Sequence, residues 1–140
     1  MTQRTILITG AGSGFGKGAA IELASRGHSV VATTETQEQA DALAAEHPEL
    51  TTIKLDVTSS DDIAQAAGLE IDVLINNAGM GVMAPMATVP MDKVRASFDV
   101  NVFGMVELTQ AVVPGMMERG SGRIINVSSG TMMMGRPNYL

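Results

Sequence analysis

Residues Thr9 to Gly16 read T-G-A-G-S-G-F-G, set between the β-branched run Thr5-Ile6-Leu7-Ile8 and a helical stretch, Lys17 to Arg26, that closes at Gly27. Strand, glycine-rich turn and helix in that order form a phosphate-binding turn. Glycine at positions 10, 12, 14 and 16 lets the backbone take positive φ and come close to a ligand. The helix that follows offers its unpaired N–H groups and positive dipole end to a pyrophosphate. The spelling is T-G-x-x-x-G-x-G and not G-x-G-x-x-G.

Working outward, apolar strand-like runs alternate with helical ones. Strands are expected at Thr5–Ile8, Ser29–Ala32, Thr52–Leu55, Val73–Asn76 and Arg123–Val127. Helices are expected at Lys17–Arg26, Gln37–Glu46, Met91–Val100 and Val102–Glu118, with a short one at Asp61–Ala67. Thr58-Ser59-Ser60 offers a cap for the short helix, and Gly120-Ser121-Gly122 breaks the long one before the last strand. Such alternation with near-continuous apolar strands predicts a parallel sheet covered on both faces and joined by right-handed crossovers. The expected fold class is α/β, a Rossmann-like doubly wound parallel sheet in three αβα layers, and residues 1–140 read as a single dinucleotide-binding domain.

Composition narrows the partners. The chain has 45% hydrophobic and 17% charged residues over 140 positions, enough for one domain with a real core. Net charge is −6, and the nine basic residues are scattered singly, so no patch tracks a phosphodiester backbone or an anionic membrane. Neither nucleic acid nor membrane is expected as a partner. Without cysteine there are no disulfides or thiolate metal sites, and His28 and His47 are too far apart for a local metal motif. No metal is expected, and the absence of a charged leader or long apolar span predicts a cytoplasmic protein.

Signals stand at the C-terminal ends of the strands, where open α/β sheets bind ligands. Asp56-Val57 follows the third strand, Asn76-Asn77-Ala78-Gly79 the fourth, and Asn126-Val127-Ser128-Ser129 the fifth, while Val100-Asn101-Val102-Phe103-Gly104 lies within the helical run between the last two. Together with Thr9–Gly16 these resemble the classical short-chain dehydrogenase/reductase family over essentially the whole chain and in the right order. Extended members of that family carry T-G-x-x-G-x-x-G in the first loop, which this sequence does not.

The resemblance implies hydride transfer between a nicotinamide cofactor, NAD or NADP, and the carbon of a small-molecule alcohol or carbonyl substrate. It implies that Gly10, Gly12, Ser13, Gly14, Phe15 and Gly16 cradle the cofactor. Asp56 would accept a hydrogen bond from the adenine amino group, with Val57 beside the ring; the other reading of Asp56 is a helix cap. Asn77, Ala78 and Gly79 would approach the cofactor or brace the sheet centre. Ser129 matches the catalytic serine, which hydrogen-bonds the substrate oxygen as charge develops. Asn101 matches the asparagine that holds a water in the proton relay; a buried amide bracing a helix is the alternative.

Cofactor choice turns on the end of the second strand. An acidic side chain there binds both ribose hydroxyls and repels a 2′-phosphate. Thr34 falls where the family's NAD-type aspartate is expected and Glu35 is one place later; no basic residue lies at that turn, position 13 is serine, and Lys17 is the single nearby cation. The balance leans to NAD.

The family's general acid/base, a tyrosine in Y-x-x-x-K, has no match here. Tyr139 is the only tyrosine, ten residues after Ser129, with no lysine behind it, and reads as a loop residue upstream of the true position. The tyrosine-lysine pair and the sheet's usual C-terminal strands are therefore expected beyond Leu140, in a longer dehydrogenase domain that forms a homo-oligomer. The alternative is a non-catalytic module that binds or senses the dinucleotide. Apart from Met1, all ten methionines lie between Met80 and Met134. Met80, Met83 and Met86, and Met132-Met133-Met134, fall near the expected substrate mouth, where thioethers mould an apolar pocket or fill core and subunit contacts.

Overall fold

In a computed structural model, which describes residues 2–130, five strands form one parallel sheet in the order β3-β2-β1-β4-β5. The strands are β1 (Thr5–Ile8), β2 (Ser29–Thr34), β3 (Thr51–Lys54), β4 (Val73–Asn76) and β5 (Arg123–Asn126). The helices are α1 (Gly14–Ser25), α2 (Gln37–Glu46), α3 (Ser60–Ala66), α4 (Met91–Phe98) and α5 (Met105–Glu118). The chain winds outward from β1 to β3, then returns to place β4 on the other side of β1. The crevice at that reversal lies between the C-terminal ends of β1 and β4.

Successive strand residues face opposite sides of the sheet, and the core divides accordingly. Leu7, Val31 and Leu74 pack with Ile63, Leu108, Val112 and Met116 of α3 and α5. Ile6, Ile8, Val30, Ala32 and Val73 pack with Ala20 of α1 and Leu43 of α2. Both faces are covered, which is why these strands carry almost no polar alternation.

Several boundaries depart from the sequence reading. Helix α1 begins at Gly14 and not at Lys17, taking Phe15 and Gly16 out of the turn and into the helix. Strand β2 runs on to Thr34, adding Thr33 and Thr34 to the buried sheet. The two helices expected on either side of Asn101 are joined without a break by a π-helical segment, Asp99–Gly104. Ser59 caps α3, its hydroxyl accepting the N–H of Asp62, and Gly120 ends α5 region at φ 64°.

Candidate functional site

The ends of β1 and β4 are laced together. The Thr9 hydroxyl accepts the backbone N–H groups of Asn77 (3.0 Å) and Ala78 (2.9 Å), while the Asn77 amide donates to the carbonyls of Thr9 (2.9 Å) and Gly10 (3.2 Å). Ala11 N–H reaches Thr33 O at 2.8 Å, tying the glycine loop to β2 as well. The loop glycines serve different ends. Gly10 and Gly14 hold φ of 65° and 56°, and a Cβ on Gly16 would run into Gly10 O and the Asn77 amide. A Cβ on Gly12 would meet nothing closer than Thr34 Cγ2 at 3.4 Å, so the fold does not require glycine there.

Helix α1 opens without the devices that satisfy its neighbours. Ser13 makes no side-chain cap bond, and the first turn carries no acidic residue. Helix α2, by contrast, has a full capping box between Thr36 and Gln39. Neither device occupies the first turn of α1, whose N–H groups carry the positive end of the helix dipole.

A cavity of about 710 Å³ opens at this edge of the sheet, within the range of small-molecule sites. Nine of the residues singled out from sequence line it: Gly10, Gly12, Ser13, Glu35, Asp56, Val57, Asn77, Ala78 and Gly79. Met80, expected near the substrate mouth, also lines it, as do Gln39, Thr58, Ala96, Asp99 and Val100, which sequence reasoning had not assigned to the site. For Gln39 a signal existed, the T-x-x-Q spelling of Thr36–Gln39; that it faces the cavity follows only from the sheet order.

Four of the expected cofactor contacts are not in the wall. Gly14 and Gly16 stand behind it in α1, and Phe15 points outward with 91% of its surface exposed. Thr34 is buried, its hydroxyl donated to Thr36 O at 3.0 Å, so Glu35 supplies the acidic group at the end of β2. Lys17 is paired with Glu46 (2.5 Å), whose carboxyl it holds below the ordinary range, and among the described residues no lysine or arginine lines the cavity.

Asp56 lines the cavity but does not cap α3, whose cap is Ser59. Its Oδ1 accepts Thr58 N–H and the Thr58 hydroxyl, each at 2.8 Å, as a turn-forming residue does, while the residue lines the cavity. Asn101 sits in the π segment and is exposed, not buried. Its amide grips the Met80 peptide at both ends, accepting N–H at 2.9 Å and donating to O at 2.7 Å, and also donates to Ser97 Oγ at 3.1 Å. A Cβ on Gly79 would press on Asn101 Oδ1 at 3.2 Å. The amide therefore braces the loop after β4 against the π segment, a feature that recurs at functional sites. Ser129 lies just beyond β5, at the same edge of the sheet.

Met80 and Ala96 also line an adjoining hollow of about 360 Å³, with Gly81, Val82, Met83, Asp92 and Lys93. Met86 is not part of it, and Met132–Met134 and Tyr139 lie outside the described residues. Among the described residues, His28 accepts Arg4 N–H, His47 contacts Glu46 and Glu49, and no cluster of three or more potential metal ligands occurs. No helix among them is long and apolar enough to cross a membrane.

Residues 4–140 match the family model described as short chain dehydrogenase. The chain belongs to the short-chain dehydrogenase family. It is 39% identical over 137 residues to human retinol dehydrogenase 8, covering 90% of this chain and 44% of that protein. It is 39% identical over 151 residues to human 17-beta-hydroxysteroid dehydrogenase type 1, covering 98% and 46% respectively. Among solved structures, the closed form of a serine dehydrogenase complexed with NADP+ superposes with a TM-score of 0.88 at 34% identity, covering 96% of this chain and 57% of that one. This short-chain dehydrogenase chain thus spans about half the length of the curated relatives it matches.

Proposed function

We propose that this chain binds a nicotinamide dinucleotide along the C-terminal edge of its sheet and forms the cofactor-binding part of an oxidoreductase that interconverts an alcohol and a carbonyl compound. The observation that carries the reading is the uncapped, acid-free first turn of α1 standing behind a glycine loop, above a cavity of about 710 Å³. Backbone N–H groups of that turn hold the pyrophosphate. Glu35 accepts hydrogen bonds from the ribose hydroxyls, and Asp56 accepts one from the adenine amino group with Val57 beside the ring. Thr34 supports this end of the site from outside the wall, its hydroxyl holding Thr36 O.

Two features favour NAD over NADP: the acidic lining from Glu35, and the engagement of Lys17 by Glu46. The neighbour complexed with NADP+ makes this a point to measure on this chain. A 2′-phosphate beside Glu35 is repelled, and NADH should bind about tenfold or more tighter than NADPH in a calorimetric titration; equal affinities would remove Glu35 from the ribose site.

When bound, the nicotinamide supplies or accepts the hydride. The chain's part is to hold the reacting carbons close and manage one proton. The Ser129 hydroxyl donates a hydrogen bond to the substrate oxygen, and Asn101 keeps the loop after β4 in place and holds the relay water. The tyrosine-lysine pair that completes proton transfer belongs to residues beyond Leu140. Met80 and Met83 line the adjoining hollow, and two relatives are a retinol and a hydroxysteroid dehydrogenase; both facts favour an apolar alcohol or carbonyl substrate. In a protein carrying the tyrosine-lysine pair, Ser129→Ala should lower turnover by about 10²–10³ while leaving cofactor affinity unchanged. Wild-type turnover of that variant across several carbonyl compounds would overturn the role of Ser129.

A further inference from the structure

We propose that Asp62, anchored by Lys54, is a positioning residue that sets the adenine end of the cavity. The inference rests on the reading of Asp56 and Val57 as the adenine contact.

Among the described residues, Asp62 is the one charged residue in the buried class, at 7% exposure. It occupies the third position of α3, where a carboxylate ordinarily turns back to the N–H of the capping residue. Here that N–H, on Ser59, is already donated to Asp56 O at 3.0 Å. The Asp62 carboxylate instead reaches past the cap to Asp56 N–H, at 2.8 Å, and the same oxygen receives Lys54 Nζ at 2.6 Å. Asp56 is therefore held on its N–H by Asp62, on its carbonyl by Ser59, and on one side-chain oxygen by Thr58.

A helix that needed only a start has one in Ser59, whose hydroxyl accepts Asp62 N–H. The buried carboxylate and its lysine do something more, fixing the one turn that presents Asp56 and Val57 to the cavity. Lys54, hydrogen-bonded to Asp62, and the Asp56 N–H together hold the Asp62 carboxyl below its ordinary range, so the clamp is charged at neutral pH. Lys54 is in turn held above its ordinary range, first by the hydrogen bond to Asp62 and also by the charge of Asp56.

The test compares NADH with reduced nicotinamide hypoxanthine dinucleotide, which lacks the adenine amino group, by calorimetric titration. Wild type should prefer NADH by about tenfold, as expected for one hydrogen bond to a charged group. Asp62→Ala should bring that ratio close to one while leaving affinity for the hypoxanthine analogue within about threefold, and Lys54→Met should shift it the same way by less. A general loss of structure would weaken both ligands alike, and that result, or an unchanged ratio in both variants, overturns the proposal. If Asp62→Ala does not fold, the ratio in Lys54→Met decides. Asp56→Ala separates the two claims. If it abolishes the preference and the other variants do not, only the positioning role falls; if wild type shows no preference, the adenine reading falls with it.

Discussion

A single carboxylate shows how local chemistry sets stability. The folded-state pKa of Asp62 is depressed, first by the hydrogen-bonded Lys54 and then by the Asp56 N–H. Its contribution is therefore complete above the unfolded value of about 3.9 and is lost as pH falls through the lower folded value. Asp62→Asn should melt about 3–8 °C below wild type at pH 7. The gap should persist down to about pH 4 and close below it. A gap that widens on acidification would contradict this sign. At Gly16 the constraint is steric: an alanine Cβ collides with backbone, and Gly16→Ala should cost about 1–3 kcal/mol in urea unfolding. Unfolding indistinguishable from wild type would refute that packing. Residue types at the site were legible in the sequence, but their direction was not. Thr34 and Glu35 are adjacent at a strand end, and only the pleat decides that the first turns into the core and the second toward the cavity. The direction of Phe15 was hidden for a related reason, since α1 begins earlier than its glycines suggest and turns that side chain outward.

Among elements, β1, β2 and β4 were the easiest to see because burial on both faces leaves nearly unbroken apolar runs. The π-helical segment was invisible: V-N-V-F-G has the composition of an ordinary helix, and the widened turn arises from packing. Gly104 lies against the carbonyl of Val57, where a Cβ would also stand 2.9 Å from Val57 C and 3.0 Å from Asp99 O. The segment is thus pressed onto the same turn that Asp62 clamps from the other side. Gly104→Ala should force the two apart, costing about 1–3 kcal/mol of stability and weakening the dinucleotide. If it retains wild-type stability in urea titration, the close approach is not a constraint.

For the whole molecule, the topology places every strand-end motif along one edge, and that much followed from the order of motifs in the chain. The exposure of the fifth strand was also legible, but that of the helical run was not. Strand β5 is exposed throughout, with Ile125 at 41% and Val127, just beyond its end, at 50%, and Phe98 and Phe103 are more than half exposed on the helical run. Apolar edges and faces of this kind recruit other chains. The 140-residue chain should therefore self-associate in sedimentation velocity at micromolar concentration; a clean monomer would contradict the expectation.

Gly12 offers the most direct test of dinucleotide binding at the glycine loop. Its φ is not positive and the surrounding chain accommodates a Cβ, so the fold gives no reason for glycine at this position. A ligand pyrophosphate that needs close backbone approach does. Calorimetric titration of NADH into wild type and Gly12→Ala, with thermal melts of both, should show matching melts and an affinity lowered at least tenfold in the variant, roughly 1.4 kcal/mol or more. Equal affinity in two equally stable proteins would mean that the loop does not hold the dinucleotide.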